Sequence, residues 1–242
     1  MSTQMARQPI EHRPWLTLAG VHARWVLRTT WRNGEQLLLV VGVPIIALLA
    51  LTRTDLLSGV TDPLSVVAAM IVLGSGFTSP AISIAFERRY GSYAFLGTTP
   101  MPRSAIIAGT IGAIAVSALI AAGLVGALAP VLATGLAPAA FGGFIAAIVL
   151  GLVAVVPWAF VLAGTARAES VLVVANAVFL VAIVFGGVLI PAASLPFGAV
   201  LAYLPPDAVV QVASGPVAVP TLVLLGWAFI GSVLATRTFR WR

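Results

Sequence analysis

The sequence contains no cysteine and no lysine, and charged residues make up only 8% of its 242 residues. Without cysteine the chain can form neither a disulfide bond nor a thiolate metal site. All 13 basic residues are therefore arginines. A Walker A motif needs a lysine that reaches the nucleotide phosphates, so any ATP hydrolysis must take place in another chain.

Apolar residues are abundant instead: they make up 60% of the chain, and the mean hydropathy is +1.10. Such a composition exceeds what one water-soluble core needs, and about 20 apolar residues in a row can cross a bilayer. We therefore predict an all-α integral membrane protein with six transmembrane helices. Their expected ranges are 36–52, 64–85, 105–129, 139–164, 170–190 and 218–236.

The arginines predict the orientation of these spans. If the N-terminus is cytoplasmic, 12 of the 13 arginines lie inside and only Arg53 lies outside. The net charge is then +12 −4 = +8 inside and +1 −3 = −2 outside, which sums to +6. We expect a multi-pass protein of the cytoplasmic (inner) membrane with both termini inside. Because topology accounts for the basic charge, the sequence gives no reason to expect nucleic-acid binding.

The predicted organisation has three parts: a cytoplasmic N-terminus with an amphipathic connecting helix (1–35), a six-span transmembrane domain (36–236) and a cytoplasmic C-terminus (237–242). The amphipathic helix is expected between Pro14 and Asn33. Its interfacial residues are Trp15, Trp25, Arg24, Arg28 and Arg32. Tryptophan rings at the lipid headgroups and arginines beside them indicate a helix lying in the membrane interface. The alternative is an ordinary lead-in to the first span.

An apolar segment on the outer side, 191–216, precedes the last span. Its apolar stretch, 195–204, lies between prolines and is about half the length that a span needs. We predict an extracellular cap or a re-entrant segment here.

Ionisable side chains are absent from the interior of every predicted span. Ion-coupled carriers keep such residues there, so secondary active transport is disfavoured. Ser75 lies between two glycines as in a serine elbow, but both histidines precede the first span, so no base can reach it. We expect no catalytic, cofactor-binding or metal-binding residues in this chain.

Mild polarity remains in two spans. Ser75, Ser79 and Ser83 recur every four residues and so share one face of the second span, where Pro80 is expected to cause a kink. This face could line a transport pathway or permit close helix packing. Asn176 in the fifth span has the same two interpretations, a substrate contact or a hydrogen bond across a helix interface.

The longest cytoplasmic loop between spans is predicted at 86–104, and it is charged and rich in glycine and proline. The second internal loop, 165–169, is much shorter. A soluble motor can act on a membrane protein only through such protrusions, so the longer loop is the expected contact.

The motifs in two segments resemble the permease subunits of ATP-binding cassette (ABC) type-2 exporters, which include the daunorubicin-resistance-type drug exporters. The loop residues Glu87-Arg88-Arg89-Tyr90-Gly91-Ser92, followed by Leu96, Thr99-Pro100 and Arg103, are similar to the family pattern E-R-x-x-G-T…L…T-P…R. The outer residues Gly186-Gly187…Pro191…Leu195-Pro196…Leu204-Pro205 are similar to the segment after the family's fifth span. One departure is Gly109-Thr110, where the family often has Gly-Lys.

The resemblance implies that a coupling helix within 86–102 docks into a groove on an ABC ATPase. The residues implied in this contact are Glu87, Arg88, Arg89, Tyr90, Gly91 and Pro100. For Glu87, capping a helix or pairing with Arg103 is an equal alternative.

The resemblance further implies two copies of the ATPase, with ATP and Mg bound there, and a second permease, identical or homologous. The expected activity is export of a hydrophobic or amphipathic drug or lipid through a membrane-embedded subunit. The alternatives are a non-transporting membrane assembly or regulatory protein and, less supported because polar rings are missing, a channel.

Overall fold

The structure is a computed structural model that describes residues 14–53, 62–99, 101–132, 138–215 and 218–238. In these ranges the secondary structure is helical, with no strand. The α-helices are α1 (Trp15–Arg32), α2 (Gly34–Leu37), α3 (Val43–Arg53), α4 (Pro63–Ile71), α5 (Ser79–Arg89), α6 (Ser92–Leu96), α7 (Arg103–Leu132), α8 (Pro138–Thr165), α9 (Ala168–Phe185), α10 (Gly198–Leu201), α11 (Pro205–Ser214) and α12 (Ala218–Thr238). Two π-helical segments, π1 (Leu38–Gly42) and π2 (Val72–Thr78), continue into α3 and α5.

Five of the described helices are long and apolar enough to cross a membrane. They are Pro63–Arg89, Arg103–Val131, Phe141–Thr165, Ala168–Phe185 and Ala218–Thr238. A sixth apolar helix, Val40–Arg53, is shorter. The predicted all-α membrane fold is confirmed, and the first span is the shortest, as its sequence indicates.

Both π-helical segments end just before a proline. In π1 the amide of Val43 donates to Leu38, and in π2 the amide of Ser79 donates to Gly74, so each bond spans one residue more than in an α-helix. Pro44 and Pro80 follow directly. A proline inside a helix lacks an N–H and its ring collides with the carbonyl four residues earlier, and the wider turn relieves this collision. The disturbance predicted at Pro80 therefore takes the form of a π-helical turn.

The fifth span is shorter than predicted. Its helix ends at Phe185 and not near residue 190, because Gly186 caps it and Gly187 adopts a left-handed backbone with φ 84°. A Cβ atom at Gly187 would lie 2.3 Å from Oδ1 of the buried Asp207, so only glycine fits against that residue. Burial raises the pKa of the Asp207 carboxyl, and a hydrogen bond from Gln211 opposes the shift.

Helix α8 lies at the centre of the bundle and packs against α12, α11, α5 and π2. Phe144 and Ile148 on α8 are among the large side chains that are fully buried. Helix α11, in the outer segment before the last span, also packs against α4 and α12. Helix α9, by contrast, buries only about a fifth of its span inside this subunit.

The predicted interfacial helix is present as α1, and it lies along α7. A Cβ atom at Gly109 would lie 2.6 Å from the backbone oxygen of Ala19 and 3.0 Å from the amide nitrogen of Ala23. The glycine therefore allows the two helix backbones to touch.

Candidate functional site

The predicted coupling loop forms a short helix after the end of the second span. Helix α5 ends at Arg89, the chain turns at Tyr90 and Gly91, and α6 follows. Gly91 has φ 78°, a conformation that glycine adopts without strain. The rings of Tyr90 and Phe95 are 74% and 71% exposed. Two large aromatic side chains on this turn therefore form an exposed surface at this end of the second span.

Arg88 and Arg89 hold this turn against the second cytoplasmic loop. Nη2 of Arg88 donates to the backbone oxygen of Ala166 at 3.0 Å. Arg89 forms an ion pair with Glu169. Both arginines, predicted as ATPase contacts, thus bind within the subunit and join this turn and the loop between α8 and α9 into one surface.

Glu87 points into the subunit. Its carboxylate faces the hydroxyls of Tyr93 and Ser83, and Arg103 is not among these neighbours. The ring of Tyr93 is only 3% exposed, and its hydroxyl also neighbours Thr110. Burial raises the pKa of the Tyr93 phenol, and the adjacent Glu87 carboxylate raises it further. The phenol is therefore neutral at physiological pH and can donate a hydrogen bond to the carboxylate.

A buried contact extends this cluster to the interfacial helix. Nε2 of His22 lies 3.1 Å from the Thr110 hydroxyl, which itself donates to the backbone oxygen of Ile106 at 3.0 Å. Because the hydroxyl proton is used, Nε2 must carry a proton and donate. Burial lowers the pKa of His22, which favours the neutral ring. The ring also stacks on Trp25 at 5.8 Å between centroids.

The serine face of the second span lines a polar crevice. The cavity volume is about 40 Å³, and the crevice separates the second span from α7 and α1. Its polar lining consists of Ser75, Ser79, Ser83, Glu87, Thr30, Thr110 and Ser117. The three serines therefore share one face, as their spacing indicates, and they face other helices of the same subunit.

A second cavity, of about 560 Å³, lies on the other side of the second span. It is almost entirely apolar, and its lining includes Phe77, Val181, Phe185, Leu204 and Trp227. The indole nitrogen of Trp158 donates to Trp227 O at 3.0 Å, and that of Trp227 donates to Tyr203 O at 2.8 Å. With both indole N–H groups satisfied by backbone, the rings present apolar surface to the cavity.

Asn176 lies on the exposed side of α9. Its amide donates to the backbone oxygen of Leu172 at 2.8 Å, within the same helix. Within the described part of this subunit the side chain makes no bond across a helix interface, so that interpretation also stays a prediction. A role of Asn176 in substrate contact stays a prediction.

Several predicted residues lie together and others do not. Trp15 joins α1 to the start of α7 by donating to Ser104 at 2.9 Å. Pro100 lies outside the described residues, as do most of the terminal residues. The crevice residues missed from the sequence are Thr30, Thr110 and Ser117, and Tyr93 beside Glu87 was missed as well. Thr110 and Ser117 are seven residues apart and so lie on one face of α7, a spacing that could have indicated them.

No group of three or more histidine or acidic side chains is placed to hold a metal ion within the described ranges. A comparison with curated proteins gives no match to this chain. The family model described as "ABC-2 type transporter" matches residues 21–213. This match includes most of α1, the turn between α5 and α6, and most of α11. The chain therefore belongs to the ABC-2 type transporter family, and it is a multi-pass membrane component of a transport system.

Proposed function

We propose that the chain is the permease subunit of an ABC exporter that moves a hydrophobic or amphipathic molecule, such as a drug or lipid, out of the cytoplasm. Two copies of a separate ABC ATPase supply the energy by binding and hydrolysing ATP with Mg. The observation that carries this proposal is the exposed aromatic turn of Tyr90 and Phe95. It lies on a cytoplasmic surface that the contacts of Arg88 and Arg89 stabilise.

The coupling turn has the properties that a docking element needs. Its exposed rings offer apolar surface to a groove, and Tyr is among the residues that dominate binding at interfaces. Its connection through Arg89 and Glu169 to the start of α9 means that a force on the turn reaches two spans at once. In this role Glu87 is a positioning residue for α6, because its carboxylate faces Tyr93 inside the subunit.

The second permease, identical or homologous, is expected against α9. Valine, leucine and phenylalanine side chains along this helix are exposed in the single subunit. Lipid or another permease can cover such a surface, and the symmetry of the assembly with two ATPases favours a second permease. The neighbouring apolar cavity would then lie beside the dimer interface, where a hydrophobic cargo could be bound.

The orientation in this proposal is N- and C-termini inside, in the cytoplasmic membrane. It can be checked because the chain has no cysteine. Single cysteines at Tyr203 and Thr98, both exposed positions, probe the two sides. An impermeant maleimide added to intact cells should label Tyr203→Cys and leave Thr98→Cys unlabelled, and the reverse pattern would contradict the orientation.

The docking hypothesis is tested by co-expressing this permease with the ABC ATPases of its own cell and measuring which of them co-purifies. Tyr90→Ala with Phe95→Ala should abolish co-purification. The matched control is Tyr203→Ala with Phe197→Ala, which removes a tyrosine and a phenylalanine that are also exposed but lie in the outer segment. Loss of the ATPase from the first variant alone supports the proposal. Retention in the first variant, or loss from both, would contradict a docking role for the coupling turn.

A further inference from the structure

The polar crevice has an unusual lining for a cavity inside a membrane protein. Hydroxyl groups from the second span and α7 face each other across it, and a carboxylate closes its cytoplasmic end. In a single α-helix, Ser75, Ser79, Ser83 and Glu87 would extend over about 18 Å, at roughly 1.5 Å per residue. The crevice is therefore long and narrow, and no single small ligand can touch all of its lining.

One buried group in this lining lacks a partner. Ser75 is 5% exposed, and its Oγ makes no hydrogen bond with any described residue. A serine in a helix commonly donates to the carbonyl four residues earlier, but Ser75 lies within π2, where the hydrogen-bond register is shifted. An unsatisfied hydroxyl in an apolar environment is unfavourable, so a ligand for it is expected.

We propose that the polar crevice holds a short file of ordered water molecules, which connects the Ser75 hydroxyl to the Glu87 carboxylate. Its volume of about 40 Å³ suits this ligand. One buried water needs on the order of 10–15 Å³, so about three fit. Each water needs two to four polar partners, and the seven polar side chains of the lining supply them.

A bound monovalent cation is the competing occupant, and the contacts at Glu87 disfavour it. The carboxylate already faces the hydroxyl donors of Tyr93 and Ser83. The Thr110 hydroxyl is already in contact with His22 and donates to Ile106. A cation would compete with these donors for the same oxygens, whereas water can both accept and donate. The other end of the crevice, at Ser75, has hydroxyl groups and no charge.

The consequence is a hydrated contact between the second span and α7. Water can exchange hydrogen bonds when two helices shift, whereas interlocked apolar side chains must separate. Glu87 and Tyr93 connect the coupling turn to this contact. When the turn moves, the second span could therefore shift against α7 along the hydrated crevice. The inference concerns the crevice itself and holds whether or not the exposed turn binds an ATPase.

The test uses silver ions, which enter water-filled spaces and react with thiols but do not cross packed apolar side chains. Single cysteines replace Ser79 and Ser117, which line the crevice. The matched controls are Ala81→Cys and Ala118→Cys, on the same two helices, fully buried and outside the lining. Open membranes in chloride-free buffer are exposed to silver nitrate, and the remaining thiols are counted with a fluorescent maleimide after denaturation.

We expect the crevice cysteines to react at least roughly tenfold faster than the controls, because a thiol must ionise in water to bind the metal. Equal rates at all four positions would overturn the proposal. If a buried control does not fold, Leu119→Cys on the exposed side of α7 replaces it.

The measurement is repeated with sodium, potassium or choline nitrate. Saturable protection by sodium alone would show a cation in the crevice and would also overturn the proposal, whereas equal rates in all three salts support it.

Discussion

The two sides of the second span differ in chemistry and in neighbours. One side carries Ser75, Ser79, Ser83 and Glu87 and borders a narrow polar crevice, closed by α7 and α1. The opposite side carries Leu73 and Phe77 and borders an apolar cavity more than ten times as large, beside α9 and the outer segment. One helix thus separates a polar contact inside the subunit from an apolar space near its exposed surface.

The difference indicates a division of roles. The polar side connects the cytoplasmic turn to the interfacial helix through Glu87, Tyr93, Thr110 and His22. The apolar side has almost no polar lining and suits a hydrophobic cargo. Serines in a membrane span do not by themselves indicate a transport pathway, because here they face other helices of the same subunit.

The largest expected effect follows from crowding the contact between α1 and α7. Gly109→Val places side-chain atoms where backbone atoms of Ala19 and Ala23 lie, and we expect destabilisation above roughly 3 kcal/mol because neither helix can yield locally. Gly123→Val on the same helix is the control, since a Cβ atom there has open space. Thermal unfolding of the purified protein in detergent measures both. Equal melting temperatures in the two variants would contradict this close contact.

The next effect tests the carboxylate of the polar side. Glu87→Ala removes the carboxylate that the hydroxyls of Tyr93 and Ser83 face, and we expect a loss of about 1–3 kcal/mol in stability. Glu87→Gln keeps an acceptor oxygen and should therefore lose less stability than Glu87→Ala. Glu169→Ala, which removes an exposed carboxylate, is the control and should change stability little. The same thermal measurement applies. A Glu169→Ala effect as large as that of Glu87→Ala would show that the buried position of Glu87 is unimportant.

A moderate effect is expected when the apolar side is filled. Ala177 lines the large cavity, so Ala177→Leu should reduce its volume and lower severalfold the ATP-dependent efflux of an apolar dye such as Nile red. Ala127→Leu, at an exposed position of α7 outside the cavity, is the control. Efflux is measured in cells that express the permease with its ATPase, at equal permease levels. Unchanged efflux in Ala177→Leu would show that this dye does not pass through the cavity.

The smallest effect is a pH dependence of the helix contact at His22. Burial lowers the pKa of this histidine in the folded protein. Stability should therefore be independent of pH above the unfolded value of about 6.5 and fall as the pH drops below it, because only the unfolded chain then takes up the proton. Other titratable groups near this ring are Tyr93, beyond Thr110, and Tyr90, which lines the same groove as His22. Melting temperatures of wild type and His22→Asn between pH 7.5 and about 5 provide the measurement. A wild type that loses no more stability than His22→Asn would contradict this prediction.

The membrane fold could be predicted because hydropathy and length act locally. Apolar runs near the length of a bilayer must become helices, since every backbone polar group needs a partner within the segment. The presence of helix α1 and of the turn after α5 was likewise predictable, from the spacing of Trp15 and Trp25 and from the charged loop. The end of the fifth span was not, because it depends on Gly187 fitting against Asp207, a residue from a different helix.

The partners of the site residues were decided by tertiary structure. The sequence identifies Glu87, Arg88 and Arg89 as notable, since charge is rare in this chain. Only packing determines that Glu87 turns inward to Tyr93, that Arg88 binds Ala166 and that Arg89 pairs with Glu169. The physical reason is distance along the chain: helical periodicity fixes which side chains share a face, but not which helix that face meets. Thr110 and His22, 88 residues apart, come together only because Gly109 lets two helix backbones touch.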